Sequence, residues 1–232
     1  MKSLLACTAI LVVSFSTISF PIVGAHQPHE LVIGNIDTAR STGTCFPVRS
    51  QKKGDLYEVW FLTTAHNFTD ATEFSVYIYS PLDTMKTQVL GKEIIYISKE
   101  LDVALFSVET NVPVDPWDIN FDFEKWDVQD PTIEEPKIGT QIAGVGFPMM
   151  MGPVYSVGYI GRKLPSIKDG SPICSISTYF GCSGGPIFIP GTNRVIGILF
   201  GVGNHNGVAI PTLGFIVPIE KVHKWLKNQS KK

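Results

Sequence analysis

A serine framed by glycines is the residue in this 232-residue chain best placed to do chemistry. Ser183 stands in the run Gly181-Cys182-Ser183-Gly184-Gly185-Pro186, between apolar stretches at 173–178 and 186–189 that predict strands. Glycines allow a backbone to turn sharply and to approach another group closely. Such a loop can hold a serine oxygen outward while its amides converge on one point and stabilise negative charge there. The pattern therefore indicates acyl transfer, which requires a base.

A histidine and an aspartate upstream can supply that base and the group that orients it. His66 follows an apolar, strand-like run that begins at Phe61, and Asp102 opens a second apolar run. A carboxylate behind an imidazole fixes the tautomer of the ring and stabilises its cation. We therefore expect His66, Asp102 and Ser183 to meet in one site.

The motifs around these three residues resemble those of the trypsin/chymotrypsin-like serine protease superfamily. Thr64-Ala65-His66, Asp102-Val103-Ala104-Leu105 and the glycine-framed serine occur in that family's chain order. Their short separations are similar to those of compact secreted members and of the high-temperature-requirement (HtrA) proteases, and the resemblance runs from about 41 to about 225. It implies a serine endopeptidase in which His66, Asp102 and Ser183 are catalytic and the amides of Gly181 and Ser183 form the oxyanion hole.

Many short strand-like runs with turn signals between them indicate an all-β fold. In the first half they lie at 31–34, 44–48, 56–63, 74–79, 87–90, 94–97 and 102–108. Together with the resemblance, they predict two six-stranded antiparallel Greek-key barrels of the chymotrypsin-like kind with a C-terminal helix. The expected divisions are a first barrel at about 30–110, a connection at 111–137, a second barrel at 138–218 and a closing helix at 219–229.

The segment 111–137 is rich in Pro, Asp, Glu and Trp and has no sustained period. We interpret it as a connection that wraps the outside of the barrels with its charges in solvent. The alternative is a calcium site or an exosite, but the carboxylate spacing matches no calcium-binding loop, so neither a metal nor a cofactor is predicted. After the helix we expect no appended peptide-binding (PDZ) domain, which HtrA proteases often carry.

The first 25 residues predict a secretory signal peptide. Lys2 precedes an apolar run at 4–20, and small residues up to Ala25 form a plausible cleavage site. The alternative is a membrane anchor, because the run is near the lower length for a span. We expect cleavage, a mature chain that begins near His26, secretion to an extracellular or periplasmic space, and no membrane association afterwards.

Two further observations concern activation and the charge of the full chain. Ile22-Val23-Gly24-Ala25 resembles the start that trypsin-like zymogens expose, but Cys182 stands where the family has the aspartate that pairs with that start. We therefore expect no activation by this route. The chain has 19 basic and 21 acidic residues without basic clusters, so no nucleic-acid partner is predicted. The oligomeric state stays open.

Removal of Cys7 with the signal peptide leaves Cys45, Cys174 and Cys182. The simplest disulfide joins Cys174 to Cys182 and would stabilise the fold by about 2–3 kcal/mol. The alternative is that all three are small buried hydrophobic residues. Asn67 and Asn228 begin glycosylation sequons, and we expect Asn67 to stay unmodified because a glycan there would crowd His66.

By resemblance, the specificity pocket lies between 195–201 and 214–218, with Ser177 at its base. The residues predicted to bind substrate are Ser177, Phe200, Gly201, Val202 and Gly214. A neutral serine at the base predicts a neutral, hydrophobic residue before the cleaved bond of a protein or peptide substrate. Two alternatives are a catalytically silent, protease-like binding module and a thiol nucleophile at Cys182.

Overall fold

The computed structural model describes residues 32–38, 41–69, 74–80, 83–90, 93–132, 135–163 and 171–229. The predicted signal peptide and the expected start of the mature chain lie outside these residues. Among the residues described, no helix is both long enough and apolar enough to cross a bilayer.

Seven antiparallel strands form the first unit, in the order β5-β4-β1-β2-β3-β7-β6. They are β1 Ile33–Thr38, β2 Thr42–Lys53, β3 Leu56–Thr63, β4 Phe74–Ser80, β5 Asp83–Leu90, β6 Glu93–Ser98 and β7 Val103–Thr110. Each predicted run falls on one of them, so this unit has seven strands where six were expected. Its core is aromatic: the fully buried rings of Phe61 and Phe106 stack across neighbouring strands at 5.4 Å.

Six strands close the second unit into a barrel, in the order β10-β11-β12-β15-β14-β13. They are β10 Gln141–Gly146, β11 Val154–Lys163, β12 Pro172–Cys174, β13 Pro186–Phe188, β14 Val195–His205 and β15 Val208–Pro218. The strand predicted over 173–178 is wrong beyond Cys174. The regular pairing with β15 ends at Cys174, and after it the chain contacts that strand through a backbone bond in which the amide of Thr178 donates to the carbonyl of Pro211 at 2.6 Å. The expected all-β double-barrel fold is nevertheless confirmed.

The connection between the two units is anchored by aromatic side chains as well as wrapped around the outside. Its short strands β8, Phe121–Asp122, and β9, Asp127–Val128, form a hairpin. Trp117 lies edge-on to Phe46 of the first unit at 6.2 Å and to Phe188 of the second at 4.8 Å. The interpretation of a solvated wrapping segment therefore holds for the exposed charges but omitted the buried rings that tie the two units together.

The helix α1, Ile219–Gln229, closes the chain where it was predicted. Its buried residues Val222, Trp225 and Leu226 recur at helical spacing and face the larger core cluster. His223 is also buried: its ring stacks on Phe121 at 5.8 Å, and its Nε2 lies 2.6 Å from the carbonyl oxygen of Ile119. The helix is thus fastened to the connection as well as to the barrel.

The predicted Cys174–Cys182 disulfide is not formed. Cys45, Cys174 and Cys182 are free thiols and all are buried. Burial raises the pKa of Cys174 to about 11, and it raises the pKa of Cys45 well above its usual value. The structure thus matches the alternative in which these residues pack as small hydrophobic side chains.

The buried His223 predicts a stability that falls in acid. Burial lowers the pKa of its imidazole, against the opposing effects of the Ile119 carbonyl and the Asp118 charge. As the pH falls below about 6.5, the unfolded chain gains a proton that the folded chain does not, so the unfolding free energy decreases. In urea unfolding, the free energy of unfolding should decrease less between pH 7.5 and pH 5 for His223→Gln than for the wild type. Equal decreases in both proteins would show that His223 does not cause the loss of stability in acid.

Candidate functional site

His66 is exposed because of the short turn that carries it. Strand β3 ends at Thr63, and the 3-10 turn Ala65–Phe68 follows at once. Ala65 and Phe68 are buried on either side, with the Phe68 ring against Phe106 at 5.4 Å. The packing of these neighbours directs the imidazole outward, and 43% of its side chain is open to solvent. A substrate can therefore reach the ring.

Asp102 holds this imidazole at two points. Its Oδ2 lies 2.7 Å from Nδ1 of His66, and its Oδ1 accepts the backbone N–H of His66 at 2.9 Å. Strands β3 and β7 pair so that Thr63 lies opposite Ala104, which brings the residues just beyond the strand ends together. Because a carboxylate accepts the Nδ1 proton, Nε2 carries the free lone pair and can act as a base.

The backbone of Asp102 has a left-handed conformation, with φ at 58°. Such a φ is uncommon outside glycine, although Asp and Asn tolerate it better than other residues. It lies in the turn immediately before β7. This turn directs the carboxylate back toward His66.

The glycines around Ser183 are required by close contacts. Gly181 and Gly184 both have left-handed backbones, with φ at 94° and 91°. A Cβ at Gly184 would overlap the Thr44 carbonyl and the Thr63 hydroxyl, and one at Gly181 would overlap the Phe147 carbonyl. The loop therefore lies directly against the first unit beside the segment that carries His66.

The predicted nucleophile and base are on facing segments, but they are not yet in hydrogen-bond contact. Within the described part of the chain, no hydrogen bond joins Nε2 of His66 to Oγ of Ser183. The carbonyl of Ser183 is fixed by the Thr44 amide at 2.8 Å and by Nδ2 of Asn67, next to His66, at 3.2 Å. Catalytic hydrogen bonds are often long without substrate and shorten when it binds.

Two backbone amides of the loop are directed away from the loop's own carbonyls. The amides of Cys182, Gly184 and Gly185 donate to the carbonyls of Tyr179, Leu199 and Cys182. The amides of Gly181 and Ser183 have no acceptor among the described residues. These are the two amides predicted for the oxyanion hole, and they are free to donate to a substrate oxygen.

A buried polar network behind the loop was not identified from the sequence. Thr63 Oγ1 donates to the Thr44 carbonyl at 2.7 Å and accepts from Nδ2 of Asn67 at 2.9 Å. The Asn67 side chain is buried, so the atom that would carry a glycan is engaged inside the protein. The polar run from Thr42 to Thr44, unusual in a buried strand, was the available signal.

Four of the five predicted substrate-binding residues lie on two adjacent strands. In β14 and β15, Gly201 pairs with Phe215 and Val202 with Gly214, while the Phe200 ring stacks on Phe215 at 6.0 Å. Gly214 has no room for a side chain, because a Cβ there would lie about 3 Å from Cys174, Leu199 and Thr178. Gly214 therefore permits close packing at the rear of this wall.

Ser177, the fifth, lies apart from the other four. It is exposed in the irregular segment after β12 and lines an apolar cavity of about 330 Å³. That cavity is also lined by Met149, Met151, Cys182 and Leu199. None of the other four predicted substrate-binding residues lines it.

Cys182 does not have the environment of a nucleophile. Its Sγ packs against Gly146 of β10, and burial raises the pKa of its thiol. A raised pKa keeps the sulfur protonated at neutral pH, and the thiolate is the reactive form. Ser183 is therefore the better-placed nucleophile of the two.

Comparison with known proteins agrees with this architecture. The model of the trypsin-like peptidase domain matches residues 43–198. The fold is similar to that of Rv3671c from M. tuberculosis H37Rv in two crystal structures, one of the protease in an inactive form and one of an inactive serine-to-alanine mutant. Each has a TM-score of 0.59 and 18% identity over 84% of this chain, and the matches cover 87% and 85% of the two structures, respectively. No curated protein matches this sequence.

The left-handed backbone of Asp102 predicts different effects for two substitutions. Asp102→Asn and Asp102→Ala both remove the carboxylate, but alanine also has the cost of a left-handed conformation, about 1–2 kcal/mol. In urea unfolding, Asp102→Ala should therefore be less stable than Asp102→Asn by about that amount. Asp37→Asn and Asp37→Ala, in the extended strand β1, are the controls, and their free energies of unfolding should not differ by this amount. Equal stability of the two Asp102 variants would contradict the strained turn.

Proposed function

Because this chain belongs to the trypsin-like peptidase domain family, we propose that it is a secreted serine endopeptidase that hydrolyses protein or peptide substrates. The main support is the contact of Asp102 with both the backbone N–H and Nδ1 of His66. Because Nδ1 is bound to the carboxylate, Nε2 of this exposed ring is left as the hydrogen-bond acceptor. The apolar run at 4–20 supports the secretion that we propose.

The proposed reaction proceeds through an acyl-enzyme. Ser183 Oγ attacks the substrate carbonyl carbon while Nε2 of His66 takes the hydroxyl proton, and the imidazolium then protonates the leaving amine. Water enters, loses its proton to His66 and releases the acyl group from Ser183. Asp102 holds the ring throughout and stabilises its positive charge.

The oxyanion that forms in both steps needs donors that are already in place. We assign these donors to the amides of Gly181 and Ser183, which have no acceptor among the described residues. Removing one such donor typically raises the barrier by about 3 kcal/mol. Because the loop is fixed on both sides by hydrogen bonds, little reorganisation is needed when charge develops.

A catalytically silent binding module is the second candidate. The observation that favours it is the missing Nε2–Oγ hydrogen bond between the described residues His66 and Ser183. Protease folds also serve functions without catalysis. An active-site label distinguishes the two candidates.

The secreted protein should react with a fluorophosphonate probe at Ser183, because that reagent requires an activated serine. We expect labelling of the wild type and of Cys182→Ala, and none of Ser183→Ala, as read by intact-mass spectrometry. All three proteins should remain folded by circular dichroism. An unlabelled wild type would contradict the serine nucleophile. In that case, alkylation by iodoacetamide that Cys182→Ala abolishes would indicate the thiol, and no alkylation would support the silent module.

For specificity, we propose cleavage after a neutral, hydrophobic residue. Ser177 offers no charge to a basic side chain and lines an apolar cavity. The Phe200–Phe215 stack and Val202 lie outside that cavity, on strands β14 and β15, and they are apolar as well. A substrate side chain of that chemistry would gain from burial against this wall.

A peptide library digested by the wild type should show hydrophobic residues before the cleaved bond. Ser177→Asp should raise the share of Lys and Arg at that position, because the new carboxylate would pair with them. Asp introduced at Ser50, on β2, is the control and should leave the profile unchanged. A strict preference of the wild type for basic residues would refute the proposal, and an unchanged profile for Ser177→Asp would remove Ser177 from the pocket.

A further inference from the structure

We propose that the hydroxyl of Thr44, on the first unit, is a positioning group that sets the direction of the Gly181 amide in the oxyanion hole of the second. This inference rests on the proposed function. Thr44 touches no substrate in this proposal, so it acts through Gly181.

The Thr44 hydroxyl has two partners, one in the nucleophile loop at 181–186 and one in the segment that follows β10. Its Oγ1 donates to the carbonyl of Gly181 at 2.7 Å and accepts the amide of Phe147 at 3.0 Å. The residue is fully buried. Water therefore has no access with which to replace either bond.

The second partner leads back to Gly181. Phe147 begins the turn Pro148–Met150, and within it the Met149 amide donates to the Phe180 carbonyl at 2.8 Å. Because a trans peptide is planar, the N–H of Gly181 points opposite to the carbonyl of Phe180. Fixing that carbonyl against Met149 therefore fixes the Gly181 N–H on the opposite side. Thr44 thus holds the carbonyl of Gly181 directly. Through Phe147 and the turn that follows it, Thr44 also holds the peptide group between Phe180 and Gly181.

Loss of the hydroxyl would affect Gly181 more than Ser183. The Ser183 carbonyl is bound by the Thr44 backbone amide and by Asn67, and neither bond involves Oγ1. The Gly181 carbonyl and the Phe147 amide would both be left buried without their partner, which folded proteins avoid. A movement of the loop at Gly181 would relieve these unpartnered groups. The Gly181 amide would then lose its direction while Ser183 stays in place.

The test compares Thr44→Val, which keeps the shape without the hydroxyl, with Thr44→Ser, which keeps the hydroxyl. Thr110→Val removes a buried hydroxyl from β7 and is the matched control. We expect kcat of Thr44→Val for a peptide ester to fall about 10- to 100-fold with KM within about 3-fold, since a full loss of one oxyanion donor costs about 10²–10³ in kcat. Thr44→Ser and Thr110→Val should stay within about 3-fold of the wild type.

A second readout does not depend on catalysis. The ¹⁵N-¹H resonance of Gly181 should be single in the wild type and in Thr44→Ser, and shifted or doubled in Thr44→Val. An unchanged Gly181 resonance in Thr44→Val would overturn the inference, as would a kcat loss in Thr44→Ser equal to that in Thr44→Val. A wild type that neither hydrolyses the ester nor reacts with fluorophosphonate would refute the proposed function, and the resonance would still decide the role of Thr44.

Discussion

The close approach between the nucleophile loop and the first unit is the constraint on which the candidate site depends. Gly184 lies against the Thr44 carbonyl and the Thr63 hydroxyl, where no side chain fits. The pair His66–Asp102 belongs to one unit and Ser183 to the other, so this contact sets how near the base and the nucleophile can come. Without it, a correct imidazole and a correct hydroxyl would be held by two bodies with no fixed relation.

The connection between the units also holds them together, but by aromatic packing. Trp117 packs between rings of both units, and its Nε1 donates to the Val32 carbonyl at 2.7 Å. Aromatic packing is strong but tolerates small shifts, whereas the hydrogen bonds at the loop are directional. The aromatic anchor brings the two units into contact, and the polar network at Thr44 fixes their final register.

The strands and the contact between Asp102 and His66 could be predicted, because both residues adjoin strand-like runs that are encoded locally. Short apolar runs with turn signals between them marked the strands, and the glycines around Ser183 marked a loop that approaches another group closely. The network of Thr44, Thr63 and Asn67 was not identified from the sequence, because a threonine in a strand usually indicates only β-propensity and Thr44 lies on a different strand from Thr63. The predicted disulfide between Cys174 and Cys182 was wrong, because proximity in sequence does not by itself bring two thiols into the geometry of a disulfide.

Two of the buried thiols, Cys174 and Cys182, give the second unit a vulnerability that begins before folding. In the finished protein Cys174 and Cys182 lie in one apolar cluster with no space for an added atom beside Gly214 or Gly146. Cys182 also lines the apolar cavity, whereas Cys174 is buried among side chains, so oxidants reach Cys174 chiefly while the chain is open. A sulfenic or sulfinic acid formed at Cys174 at that stage would bring a polar oxygen into the tightly packed surroundings of Gly214, so oxidation before folding would destabilise this barrel.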